Sequence, residues 1–322
     1  MAELLEVRDL SVSYRTAEGL LPAVRGVDLV VRAGEVVGVA GESGCGKSTL
    51  ASALLRLQPK DAVVTGAVLI SGADVLTVRW GELRALRWAE ASIVFQGALH
   101  SLNPVYRVAD QIAEPIQLHE PELSSGQVDE RVSDLLEQVG LPRGRGRAYP
   151  HQLSGGQRQR VMIAMALGCS PRLIIADEPT TALDVMVQAQ ILDLLSQLVR
   201  ELSVGLVIIS HDLSVLAGVC DRVVVMYAGR VVETGTSEEV FSRPLHPYAG
   251  ALSDAFPRIG DLAARYAPAG LAGDPPDPRH LPAGCSFSPR CPRVVDACHE
   301  AEPPLRELGS GRRAACIRVV VP

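Results

Sequence analysis

The chain has 322 residues, 47% of them hydrophobic, which is enough for one large core with a smaller appendage and too apolar for disorder. Its 31 basic residues against 37 acidic ones give a formal net charge of -6, so no basic footprint for a nucleic-acid backbone is present and no nucleic-acid partner is expected. The opening MAELLEVRDL carries acids where a secretory signal carries bases, and apolar runs such as Leu206-Val207-Ile208-Ile209 fall far short of the roughly 20 residues a membrane helix needs. Export is not expected, and membrane association is expected only through a partner.

In chain order, Leu4 to Tyr14 and Val24 to Val31 read as strands, and Glu35 to Ala40 as a short buried strand. A glycine-rich turn follows, and from Lys47 the spacing of Leu50, Leu54 and Leu57 predicts a helix. Val128, Val132, Leu135, Leu136 and Val139 predict an amphipathic helix ending near Gly140, and residues from about 97 to 168 are expected to form a mostly helical insertion. Leu173 to Ala176 and Gly205 to Ser210 are all-apolar runs separated by a helical pattern from Ile191 to Leu202, as a parallel α/β sheet requires. Arg222 to Thr234 reads as a hairpin turning near Ala228-Gly229, with a helix around Ser237 to Phe241. Prolines 257, 268, 275, 276, 278 and 282 mark an irregular segment, which sets an expected boundary near residue 257.

Gly41-Glu42-Ser43-Gly44-Cys45-Gly46-Lys47-Ser48-Thr49 matches the phosphate-loop pattern between a buried strand and a helix. Glycines let backbone N–H groups converge on phosphate oxygens, the helix adds its positive end, Lys47 reaches the terminal phosphates, Ser48 meets Mg²⁺ and Thr49 a neighbouring phosphate. Chance would produce such a match in a chain of this length about once in a hundred. The strand ending Ala176-Asp177-Glu178 supplies two carboxylates with separable roles: Asp177 for the metal shell and Glu178 for polarising the attacking water. Alone, that pair would read as an ordinary acidic strand end.

Leu153-Ser154-Gly155-Gly156-Gln157-Arg158-Gln159-Arg160 resembles the signature motif of the ABC ATPases, and Ser154 to Gly156 are expected to present the N-terminus of a helix from Gln157 to Leu167 to an anion. Capping explains the serine but not the whole run. The resemblance extends to Gln96 as the Q-loop glutamine, a catalytic and Mg²⁺-linked position. It also covers Asp184 in the D-loop Ala182-Leu183-Asp184, His211 as the catalytic switch histidine, and Tyr14 as the aromatic that stacks on adenine. It implies a phosphate-loop ABC-type domain with a β-rich N-terminal subdomain, a helical insertion and a small cysteine-containing C-terminal region: an α/β protein with boundaries 1–257 and 258–322. ATP and Mg²⁺ are the implied ligands. A second ABC ATPase subunit, which would receive Ser154, Gly155, Gly156 and Gln157 against its nucleotide, is the implied partner.

Ser101-Leu102-Asn103-Pro104, Thr181 to Val185 with Val187 to Gln190, and Pro244-Leu245-His246-Pro247-Tyr248 resemble the oligopeptide, dipeptide and nickel importer subgroup. That implies peptide-type uptake at the cytoplasmic face of the membrane, through two permease subunits and an extracytoplasmic solute-binding protein. Gly97-Ala98-Leu99-His100 and Met186 depart from the subgroup pattern. Ribosome-acting relatives carry tandem cassettes and DNA-repair relatives a long coiled coil, neither of which is legible here.

Seven cysteines without a secretory signal argue against a disulfide framework. Cys285, Cys291, Cys298 and Cys316 supply the ligand count of a [4Fe–4S] cluster or of Zn²⁺, and free or structural thiols are the third reading. The resemblance implies the cluster, as a staple for the tail or, in the rival reading, as a sensor. Cys45 reads as a small tolerated side chain in the loop, Cys169 and Cys220 as buried structural residues.

Overall fold

The structure is a computed structural model and describes residues 3–97, 101–255, 271, 273–309 and 311–319. Gly97 is therefore described but Ala98, Leu99 and His100 are not, and the boundary at 257, with Pro257 and Pro268, lies outside the described residues. Two compact units divide the chain.

The first unit takes residues 1–5, 31–36 and 69–208. Its strand Ala91–Val94 (β6) runs parallel to Leu173–Asp177 (β7), pairing Ala91 with Leu173 and Val94 with Ala176. β7 is buried along its whole length, as the apolar run demanded. Helices Val108–His119 (α3), Ser125–Gln138 (α4) and Gly155–Leu167 (α5) pack on one another and form the predicted helical insertion. Ser124 caps α4 through a reciprocal box with Gln127, and Arg131 of α4 makes two 2.8 Å bonds to Glu120 at the end of α3. Val185–Leu202 (α6) packs on α5 and buries Ile191, Leu194, Leu195 and Leu198 of the apolar stripe read from sequence, while its last member, Leu202, ends the helix exposed.

The second unit takes residues 6–30, 37–68 and 209–322. Within it lie most of Glu3–Thr16 (β1) and Gly19–Arg32 (β2), longer than their sequence pattern suggested. Val36–Ala40 (β3) is wholly buried and runs parallel to Arg222–Tyr227 (β9), pairing Val37 with Arg222 and Ala40 with Val225. β9 turns through Ala228 and Gly229, at φ 47° and 81°, into antiparallel Arg230–Thr236 (β10). Two successive positive φ values give the tight hairpin that matches strand twist. The helix after the phosphate loop, Lys47–Leu54 (α1), ends earlier than expected: Arg56 takes φ 52°, and Leu57 lies outside the helix and is exposed.

The C-terminal segment is tied into this second unit by backbone pairing. Arg313–Ala314 (β12) adds to β10, pairing Ala314 with Glu233, and Arg306–Glu307 (β11) adds to β12. Glu233 is fully buried there, but Arg312 bonds it at 2.9 Å and the N–H groups of Leu245 and His246 donate to it. Burial raises its pKa, which those bonds oppose.

Candidate nucleotide site

The phosphate loop occupies the turn between β3 and α1. Gly41, Gly44 and Gly46 have φ 155°, 81° and 103°. At Gly46 and Gly41 the requirement is steric as well, because a Cβ would overlap the carbonyl oxygens of Ala23 and Met226 respectively. Gly46 caps α1 without any side-chain bond to the helix N–H groups, so the helix start is framed by backbone alone, as an anion site needs. Lys47 is only 5% exposed, and its Nζ donates to the carbonyls of Gly41 at 2.7 Å and Glu42 at 2.9 Å. The ammonium is thus folded over its own loop, held by two acceptors that a phosphate oxygen can replace.

Tyr14 Oη donates to Thr49 Oγ1 at 3.2 Å, and Tyr14, Gly44, Cys45 and Thr49 border a cavity of about 210 Å³ beside the loop. Cys45 is buried, and burial is the main cause of its raised pKa, in keeping with a packing role. Ser43 and Ser48 are exposed, as is His211, just beyond the end of Gly205–Ser210 (β8).

In the first unit, Asp177 closes β7 at 7% exposure. Glu178 follows at φ 46°, a left-handed conformation that disfavours residues with a side chain and breaks the strand. Its Oε2 accepts from Gln96 Nε2 and from Thr181 Oγ1, both at 2.8 Å. Gln96 and Glu178, read separately from sequence, are brought together; Thr181 was read only as a subgroup marker, and its bond to Glu178 gave no sequence signal.

The signature segment begins its helix at Gly155, two residues before the expected start, with Ser154 as N-cap. Ser154 Oγ accepts from Gln157 N–H at 3.3 Å, and Gln157 Oε1 accepts from Ser154 N–H at 3.1 Å. A Cβ on Gly156 would lie 2.5 Å from Val187 Cγ1, and one on Gly155 would lie 3.2 Å from Leu183. The D-loop and the start of α6 therefore pack against these glycines, which accounts for the part of the run that capping left unexplained. Asp184 caps α6 by accepting from Val187 N–H at 3.0 Å.

The tail cysteines depart from expectation. Cys285, Cys291, Cys298 and Cys316 border one cavity of about 10 Å³ that Pro247, Phe287 and Pro303 also line. That is room for about one water molecule. Among the described residues no group of three or more His, Cys, Asp or Glu side chains is placed to hold a metal ion, so the expected ligand set for a [4Fe–4S] cluster or Zn²⁺ is not assembled. Burial raises the pKa of the Cys285 and Cys291 thiols.

A glycine loop feeding a helix, a buried lysine across it and a strand ending in paired carboxylates define a phosphate-loop nucleotide-binding protein. Residues 24–181 match the family described as "ABC transporter", and residues 232–298 match "Oligopeptide/dipeptide transporter, C-terminal region". The "Oligopeptide transport ATP-binding protein OppD" of Salmonella typhimurium is 46% identical over 319 residues, covering 98% of this chain and 94% of the relative. Its namesake from Haemophilus influenzae is 43% identical over 318 residues, covering 98% and 97%. The dimeric structure of MJ0796, described as a bacterial ABC transporter cassette, matches with a TM-score of 0.66 and 29% identity, over 72% of this chain and 98% of that one. The chain belongs to the ATP-hydrolysing ABC transporter ATP-binding proteins, with the α/β cassette fold of that family. Among the described residues no helix is long and apolar enough to cross a membrane.

Proposed function

We propose that the chain hydrolyses ATP as the motor subunit of an importer for peptides or a related solute, bound peripherally at the cytoplasmic face of the membrane to two permease subunits. A solute-binding protein on the far side would deliver the cargo. The observation that carries the peptide assignment is the match of residues 232–298 to the oligopeptide/dipeptide transporter C-terminal region, alongside relatives named for oligopeptide transport. Residues 1–257 are read as the ATPase domain and 258–322 as that C-terminal region.

Residue roles follow from chemistry. The loop amides and Lys47 hold the phosphates, Thr49 supports a neighbouring phosphate, and Tyr14 stacks on the base. Glu178 orients and polarises the attacking water, with Gln96 and Thr181 fixing its carboxylate. His211 assists at the terminal phosphate. Mg²⁺, assigned to Ser48, Asp177 and Gln96, would neutralise charge on the phosphate oxygens. Ser154, Gly155, Gly156 and Gln157, with Asp184 behind them, are read as the surface lent to a second ATPase subunit, so that closure on ATP is what drives the permease. A tail metal, whether [4Fe–4S] or Zn²⁺, rests on ligand count alone, and no step depends on it.

The test is ATP-driven accumulation of a labelled peptide by proteoliposomes holding the chain with its permease and partner ATPase. Uptake that vanishes with Lys47→Ala supports the assignment; ATP hydrolysis without accumulation of any peptide removes the peptide reading.

A further inference from the structure

The phosphate loop carries a carboxylate of its own. Glu42 is its second residue, and a negative side chain in a loop that receives a polyphosphate opposes binding unless it is neutralised. The C-terminal region supplies the neutralising charge. Arg290 bonds Glu42 through Nη1 to Oε2 at 2.7 Å and Nη2 to Oε1 at 3.0 Å, a bidentate pair in which the arginine side chain is only 6% exposed. Tyr248, fully buried, accepts from the Glu42 N–H at 2.8 Å. The loop residue is therefore gripped at both backbone and side chain.

The grip has a rigid base. Tyr227 and Tyr248 pack with ring centroids 4.5 Å apart, and Phe287 meets both edge-on at 5.2 and 5.4 Å. Arg290 lies over the Tyr227 ring, 6.0 Å from its centroid, and closes a short turn, Ser288–Arg290, between Cys285 and Cys291. Pro275, Pro276 and Pro278 of the same region border the cavity beside Tyr14.

We infer that Arg290 is a positioning residue of the nucleotide site: by pairing with Glu42 it turns that carboxylate away from the phosphates and cancels a charge that repels them. This rests on the loop being the ATP site. The C-terminal region is then part of the nucleotide site rather than an appendage to it, and the turn between Cys285 and Cys291 sets nucleotide affinity.

The test is binding of Mg-ATP, Mg-ADP and adenosine to the purified full chain by equilibrium dialysis. Arg290→Ala is expected to weaken Mg-ATP about tenfold, equivalent to about 1.4 kcal/mol, Mg-ADP less, and adenosine least, because the exposed carboxylate acts on phosphate charge. Glu42→Gln tightens Mg-ATP, and the double variant Arg290→Ala with Glu42→Gln recovers most of the loss. A merely structural staple would not be rescued by removing its partner's charge. The inference is overturned if Arg290→Ala binds Mg-ATP like wild type, if the double variant stays as weak as Arg290→Ala, or if Glu42→Gln weakens binding. Should Arg290→Ala fail to fold, the Glu42→Gln result alone decides. Lys47→Ala separates the two claims: if it still binds Mg-ATP normally, the loop is not the ATP site, whereas loss in Lys47→Ala with no change in Arg290→Ala overturns only the role of Arg290.

Discussion

Gln96 Nε2 donates to Glu178 Oε2 at 2.8 Å, joining a residue just beyond β6 to the carboxylate just beyond β7, parallel neighbours in one layer. With Thr181 bonded to the same oxygen, the Glu178 carboxylate is held in orientation by two donors. Gln96→Ala is expected to lower kcat for ATP hydrolysis by about tenfold or more while changing KM less than about threefold, because orientation at the reacting centre is lost and phosphate binding is kept. Steady-state kinetics of the assembled complex check this, and a rise in KM at constant kcat contradicts it.

The signature glycines are held by packing. Gly156→Ala would press its Cβ on Val187, and overpacking of this kind costs about 1–3 kcal/mol. Urea denaturation of the isolated chain should show that loss, and Val187→Ala in the same chain should return part of it. No change in midpoint for Gly156→Ala would mean that the contact relaxes freely.

Acid should destabilise the unit that carries the C-terminal region. Burial lowers the His246 pKa from 6.5 to about 4, and its Nδ1 accepts from Tyr248 N–H, so the folded ring is neutral. Between pH 6.5 and 4 the unfolded chain takes up a proton that the folded ring refuses, so stability falls with pH, by up to about 3 kcal/mol. Glu233, which accepts from His246 N–H, has a raised pKa and contributes in the opposite sense, its stabilisation fading as pH rises. His246→Asn keeps an acceptor for Tyr248 but cannot titrate, so its denaturation midpoint should vary less than that of wild type across this range. Parallel pH profiles would remove His246 as the source.

The phosphate loop, the Asp177-Glu178 strand end and the turn at Ala228-Gly229 were legible because each is a local pattern whose chemistry is fixed by neighbours in sequence. Residues 63 to 94 were not: Val63–Ile70, Trp80–Ala89 and β6 are short, and Trp80–Ala89 departs from helical geometry at Arg87 and Trp88, so no periodicity accumulates. Leu57 fitted the helical spacing of α1 but fell beyond a left-handed Arg56 that no pattern foretold. The pairing of Glu42 with Arg290 spans 248 residues, and nothing in one sequence encodes a contact at that separation. In the cysteine tail a ligand count was legible, while the placement of the four thiols was not.

The most direct measurement is ATP hydrolysis by the assembled complex carrying Glu178→Gln, with Mg-ATP binding measured on the same preparation. Turnover is expected to fall about a hundredfold or more, the range for removing a positioned general base, with Mg-ATP still bound. Turnover at the wild-type rate would contradict the role given to Glu178.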